Sequence, residues 1–177
     1  MLINFLKRYS YKQILLLFIE DHLQFLLGPL PSYEGIIARR LMYKIFLKLG
    51  KGSIIYHHVI FTHGFNIKIG NYFSPNCGTH IDGRGGVEIG DYVLIGPNVF
   101  IASSNHVVRT REPRINFPHI PKPTYIGSNV WIGANTVVCP GVKIGDNSIV
   151  AAGSIVTKDV AHNVIVAGNP ARVTRTF

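Results

Sequence analysis

At 177 residues, 18 of them glycine, the chain has the length of one domain and can enclose a continuous core. Its two cysteines, Cys77 and Cys139, rule out a disulfide framework and fit a reducing compartment, read here as the cytoplasm. The formal net charge of +9 points to an anionic partner such as a phosphorylated cofactor or a membrane surface. Nucleic acid is set aside, because no recognition motif accompanies the charge.

Residues 1–27 are rich in apolar side chains but broken by Lys7, Arg8, Lys12, Glu20 and Asp21. The longest uncharged apolar run, residues 14–19, falls far short of the roughly 20 residues that a transmembrane helix needs. With no small-x-small cleavage site after it, no secretory signal is expected either. Gly28-Pro29-Leu30-Pro31 stops this first helix. A second helix is predicted over residues 33–49, with Ser32 as N-cap and Gly50 just past its end. On it Arg40, Lys44 and Lys48 fall four apart beside an apolar stripe of Ile37, Leu41, Ile45 and Leu49. The expected job of this extension, residues 1–50, is to cap the open end of a repeat structure and show its charges to water. Adhesion of Arg39, Arg40, Lys44 and Lys48 to an anionic membrane face is compatible with that job.

The remainder, residues 51–177, is governed by a six-residue period that runs without a slip through residues 126–161: IGSNVW, IGANTV, VCPGVK, IGDNSI, VAAGSI, VTKDVA. Residues six apart lie on nearly opposite faces of an α-helix, so the pattern excludes one. Short extended segments with Ile or Val pointing inward fit it, three to a triangular coil. Hexads are readable from about Ile54, in five coils and a prism ~24 Å tall at a strand spacing of ~4.8 Å. Two-residue surpluses, Ile67-Lys68 and Val87-Glu88, are read as turns or bulges at coil corners. Residues 107–125 interrupt the repeat with Arg109, Arg111, Arg114, His119, Lys122 and four prolines. A loop of that length inside a compact fold is usually functional.

The hexads, together with NYFSPN, HIDG, SSNH and a C-terminal VAGNPARV, resemble the hexapeptide-repeat acyltransferases, and within them the maltose, galactoside and related sugar O-acetyltransferases. The resemblance covers about residues 67–177. It implies a mainly β fold, the left-handed parallel β-helix, with an N-terminal helical extension and one long excursion loop. It also implies transfer of an acetyl group from acetyl-CoA to a sugar hydroxyl, with no metal, in a homotrimer whose sites lie between subunits. By the same resemblance His106 is the catalytic base, Asn76 and Asp82 line the acceptor site, and Trp131, Ala134, Ala152, Thr157, Lys158 and Arg172 contact the cofactor.

These residue types suit the chemistry. Acyl transfer to a hydroxyl needs a base, and neutral histidine serves near neutral pH. Small alanines admit a pantetheine arm to the backbone, and Lys158 and Arg172 can meet phosphates. Each also has a structural reading: Asn76 and Asp82 as corner residues, Trp131 as a large side chain on a coil wall, and Cys77 and Cys139 as packing. The segment LPSYEGIIARRLMYK resembles relatives that act in surface-polysaccharide assembly, which implies a glycan acceptor and possible peripheral contact of the N-terminal helices with the inner face of a membrane. Two rival readings are a zinc enzyme like the γ-class carbonic anhydrases, whose H-x4-H spacing His58 and His63 reproduce, and a non-catalytic scaffold.

Overall fold

The computed structural model describes residues 9–107 and 119–177. Two helices precede a parallel β-helix. The first, α1 (Tyr11–Leu27), starts in a capping box in which the Ser10 side chain accepts from the Gln13 N–H and the Gln13 side chain accepts from the Ser10 N–H. The second, α2 (Ser32–Phe46), is three residues shorter at its end than its periodicity suggests. Pro31 takes the N-cap position expected of Ser32, and Lys48–Leu49 leave the helix to pair with Lys68–Ile69 as the first strand of the solenoid.

From there the chain winds through three parallel sheets. The first carries an outward ladder of Lys48, Lys68, Glu88, Tyr125 and Lys143 and is the charged face. The second stacks Ser74, Leu94, Trp131, Ile149 and Ile165 outward. The third stacks Ile60, His80, Phe100, Val137 and Ile155. Inward positions are filled by Ile, Val and Phe, among them Phe61, Ile81, Ile101, Val138 and Val156, in one core shared with Met42, Tyr43, Phe46 and Leu47 of the helical end. The outward ladders therefore sort by face: charged on the first, largely apolar on the other two.

Corners explain the period. Between the first and second sheets, Gly52, Tyr72, Tyr92, Asn129, Asn147 and Asn163 all adopt left-handed backbone. Between the second and third, His58, Gly78, Asn98, Asn135 and Gly153 do the same. Each coil thus needs one residue at each corner that tolerates positive φ, which explains the recurrent Asn and Gly. The asparagines also bond coil to coil, Asn129 Nδ2 donating to Asn147 Oδ1 at 2.9 Å and Asn147 Nδ2 to Asn163 Oδ1 at 3.1 Å. The third corner is irregular and carries the surplus chain. Ile67-Lys68 and Val87-Glu88 are not bulges; they sit inside three-residue strands, with Ile67 and Val87 buried. The extra length lies just before them, at residues 63–66 and 83–86.

The same corner launches the excursion. Ser104–His106 pairs antiparallel with His119–Pro121, and Thr124–Ile126 is already back in the charged sheet. The departure from the repeat is thus a hairpin that includes His106 and ends before Thr124. Arg109, Arg111 and Arg114 lie outside the described residues. At the far end the parallel course stops at Gly168, and the chain returns through Pro170 as an antiparallel strand, Ala171–Thr176.

The helices cap the first coil as expected, though by a different face. The Gln24 side chain acts as a stand-in strand: its amide nitrogen donates to the Phe61 carbonyl at 2.9 Å and its oxygen accepts the Phe61 N–H at 2.8 Å. Tyr43 Oη donates to the Val59 carbonyl at 2.7 Å. Arg39, expected among the surface cations, is buried and donates to the carbonyls of Ile55, Leu30 and Gly28. Burial lowers its pKa, with Tyr43 opposing. Gly35 makes room for this, since a Cβ there would meet the Leu30 carbonyl and Arg39 Nη1. The inner face of α2 is Gly35, Arg39, Met42, Tyr43 and Phe46, and the stripe of Ile37, Leu41 and Ile45 faces solvent.

Candidate active site

A cavity of about 320 Å³ opens where α1 crosses the irregular corner, lined by Glu20 and Asp21 of the helix and by Thr62, His63, His80, Asp82, Arg84 and Phe100 of the coils. Asp82 ends a strand of the third sheet. It accepts from Thr62 Oγ1 at 3.1 Å and from the Arg84 N–H at 3.1 Å, and His63 Nδ1 stands 3.5 Å away, an ionic contact more than a hydrogen bond. Burial alone would raise the Asp82 pKa; the contacts from His63, Arg84 and Thr62 outweigh it and hold the carboxyl at about 2. His80 packs edge-on against Phe100 and lacks a hydrogen-bond partner for Nε2 among the described residues. Burial lowers its pKa, the charge of Asp82 opposing, which favours a neutral imidazole on the cavity wall. On the helix side the buried Glu20 accepts the Gly64 N–H, and its pKa rises to about 7 because burial outweighs that bond.

The hairpin stands next to this cavity. His106 is exposed, its N–H held by Asn105 Oδ1 at 2.8 Å, and it faces His119 across the hairpin register. The two rings lie 4.0 Å apart, and Arg84 Nη1 donates to the His119 ring at 2.6 Å. Arg84 thus ties Asp82 of the cavity to the histidine pair. The link is close-fitting, since a Cβ on Gly85 would strike the Ser103 carbonyl oxygen.

The nominated residues fall on two edges of the third sheet. Asp82, His106, Thr157 and Lys158 line the irregular corner. Asn76, Ala134 and Ala152 stack on the opposite edge, and Trp131 lies beyond it on the second face, as does Arg172 on the return strand. From Asn76 the chain turns at Cys77-Gly78 and then runs through the third-sheet strand His80–Asp82, so the two residues sit at opposite ends of that strand. A single chain therefore does not bring the two sets together. Asn76 uses its side chain locally, its Oδ1 accepting the Cys77 N–H at 2.7 Å. At the alanine edge the coils are tightly stacked, a Cβ on Gly133 meeting the Ala152 N at 2.5 Å. A larger groove of about 710 Å³ runs down the charged face past Glu88, Tyr125, Lys143 and His162 and holds none of the nominated residues.

Sequence reasoning did not nominate Glu20, Asp21 or Arg84, and it raised His63 only as a ligand in the rival zinc reading. The signal available for the last two was the pair of surplus residues, which marked the wide corner. The zinc reading finds no support in the geometry. His58 is an exposed corner residue set edge-on against His57, whereas His63 is buried, with Tyr9 Oη at Nε2 and Asp82 at Nδ1. Among the described residues no three His, Cys, Asp or Glu side chains gather as a metal set. Cys77 and Cys139 are free and half-buried, and burial raises the Cys139 thiol.

Comparison with known proteins agrees with this architecture. The bacterial transferase hexapeptide model, six repeats, matches residues 123–158. Galactoside O-acetyltransferase of Escherichia coli (strain K12) is 45% identical over 146 residues, 81% of this chain and 71% of that protein. The galactoside O-acetyltransferase of Lactococcus lactis is 36% identical over 140 residues, 76% of this chain and 65% of that one. Among solved structures, a galactoside acetyltransferase in complex with coenzyme A superimposes with a TM-score of 0.86 at 38% identity, over 94% of this chain and 83% of that chain. A maltose O-acetyltransferase from Clostridium difficile 630 gives 0.85 at 29%, over 95% and 89%. Fold and relatives together define an enzyme of the acyltransferase class built on a left-handed parallel β-helix. The chain belongs to the hexapeptide-repeat O-acetyltransferase family.

Proposed function

We propose that the protein moves an acetyl group from acetyl-CoA to a sugar hydroxyl, in the assembly of a surface polysaccharide or related glycan on the cytoplasmic side of a membrane. The observation that carries the reading is the exposed His106, on a hairpin stem beside a polar cavity, in a chain related to galactoside acetyltransferases. His106 removes the hydroxyl proton as the oxygen attacks the thioester carbonyl. The tetrahedral intermediate collapses with cleavage of the C–S bond, and the thiolate of coenzyme A takes the proton back from His106. Asp82, Arg84, His63 and Asp21 offer donors and acceptors suited to a hydroxyl-rich acceptor. Lys158 lies two coils beyond the hairpin on the same edge, about 10 Å along the axis, within reach of the cofactor phosphates.

The division of the nominated residues between two edges supports a homotrimer. Threefold packing through the second and third faces would set Asn76, Ala134, Ala152 and Trp131 of one copy against His106, Thr157 and Lys158 of the next, and would cover the apolar ladders of Leu94, Trp131 and Phe100. Arg172, on the second face, joins the cofactor groove from the same side. Residues 30–44, which resemble those of relatives acting in surface-polysaccharide assembly, favour the glycan setting.

The test is His106→Ala beside Lys158→Ala, with acetyl-CoA turnover read by product mass. His106→Ala should lower kcat by roughly 10² to 10⁴ while the KM for acetyl-CoA holds. Lys158→Ala should raise that KM and spare kcat. A His106→Ala enzyme retaining most of its activity overturns the assignment.

A further inference from the structure

Helix α1 presents Tyr11, Leu15, Phe18, Phe25 and Leu26 to solvent, and α2 presents Tyr33, Ile37, Leu41 and Ile45, each between 57% and 93% exposed. On α1 the steps are four, three and seven, with His22 packed on Phe18 inside the longest gap and Leu26 beside Phe25, and on α2 an unbroken step of four, so each set forms a stripe along its helix. The two helices pack on each other and turn their other faces to the capped end of the solenoid, so both stripes lie on the outside of the pair, uncovered among the described residues. A patch of nine large side chains exceeds what solvation of a soluble surface explains.

We infer that this outer face of α1 and α2 docks on an anionic lipid bilayer, lying in the headgroup region. The helices do not cross it, for among the described residues no helix is long and apolar enough to do so. Charge selects the occupant. Lys12 adjoins the α1 stripe, and Arg40 and Lys44 flank the α2 stripe. Against them stand only two exposed carboxylates on the described helices, Asp21 and Glu34, because Glu20 is turned inward. Apolar side chains with a cationic border and tyrosines at the stripe ends match an interfacial helix pair. A second copy of the chain fits less well. Face-to-face pairing of this surface would bring Lys12, Arg40 and Lys44 against their own kind, and the apolar ladders of the second and third faces already offer a surface between copies.

The inference deepens the membrane-side setting proposed above and is independent of the acyl-transfer chemistry. It also places the cavity. The inner side of α1 supplies Glu20 and Asp21 to the cavity wall, so docking the outer side brings that wall within about one helix diameter, roughly 10 Å, of the lipid headgroups. An acceptor held at a membrane surface would reach it without leaving the interface.

The test is flotation of the full chain with vesicles of phosphatidylcholine alone and of an equimolar phosphatidylcholine–phosphatidylglycerol mixture. Binding should require the anionic lipid and weaken as salt rises. The double variant F18S/L41S removes one anchor from each stripe without touching the core or the site, and should weaken binding roughly tenfold or more at unchanged melting temperature. Lys12→Glu with Lys44→Glu should flatten the salt dependence. The inference is overturned if neither vesicle binds, if F18S/L41S floats like wild type, or if that variant instead lowers the sedimentation mass of a protein that never floats, which would assign the face to a second copy. Because flotation does not read acetyl transfer, a protein that floats but fails to acetylate, or the reverse, separates the two proposals.

Discussion

His106 and His119 are register partners across the excursion hairpin, their rings 4.0 Å apart, with Arg84 donating to the far ring. Arg84 Nη1 lies within hydrogen-bond distance of both His119 ring nitrogens, 2.6 Å from Nε2 and 3.1 Å from Nδ1, and so holds that ring in place, tilted by 42° against the ring of His106. His119 is thereby a positioning residue for the proposed base. His119→Ala should lower kcat by roughly tenfold, less than loss of His106, with an unchanged KM for acetyl-CoA and a displaced pH–rate profile. Steady-state rates measured across pH check this; an unaltered profile with full kcat would reduce the pair to packing.

Glu20 sets a stability gradient. In the folded protein it keeps its proton to about pH 7, against an ordinary value of 4.5. Between those values the folded state binds more protons than the unfolded, so the contribution is full below 4.5 and is lost as pH rises through 7. A shift of that size corresponds to about 3 kcal/mol. Glu20→Gln keeps an acceptor for the Gly64 N–H and removes the titration. Urea midpoints at fixed protein concentration should show it more stable than wild type by roughly 2–3 kcal/mol at pH 8 and nearly equal at pH 4.

Gln24 closes the first edge strand, and its loss would strand both the N–H and the carbonyl of Phe61. Gln24→Ala should cost about 2–4 kcal/mol. Gln24→Glu, which keeps the acceptor and loses the donor, should fall between. Denaturant titration of the two variants distinguishes this from simple loss of packing, which would rank them together.

The faces should behave unequally in assembly. Leu94→Asp, in the ladder between Ser74 and Trp131, should dissociate the proposed trimer and abolish transfer. Tyr125→Asp, at an equivalent exposed position on the charged face, should do neither. Sedimentation velocity reads both, and an intact Leu94→Asp trimer would require a different packing.

The hexads, five coils and two helices were legible because inward aliphatic residues and corner asparagines recur along the chain at fixed intervals. The face of α2 was not. That helix is apolar on two sides, and the sequence cannot show that Arg39 would find three carbonyls at the junction of α1 and the first coil, which turns Ile37, Leu41 and Ile45 outward. The two-residue surpluses were seen but misplaced by a few positions, since a longer strand and a longer corner shift the period equally. His106 and Asp82 were named through family resemblance, and the structure sets both along the irregular corner. Arg84 was not, because a cation in a glycine-rich turn acquires meaning only when the hairpin folds back to set His119 beside it.

The coils are unequal in length, and the inequality is confined to one place. Partners in the charged ladder are 20 residues apart in the first coils, Lys48 to Lys68 to Glu88, then 37 to Tyr125 and 18 to Lys143. The strands nevertheless stay in register, because every surplus is discharged at the corner that carries the cavity and the hairpin. Two edges of the prism are in effect hinges of fixed gauge, while the third accepts inserts of any size. Such a scaffold can lengthen or exchange the walls of its cleft by insertion without renegotiating the core. The walls proposed to receive the acceptor can therefore drift while the coils proposed to hold the cofactor remain the same.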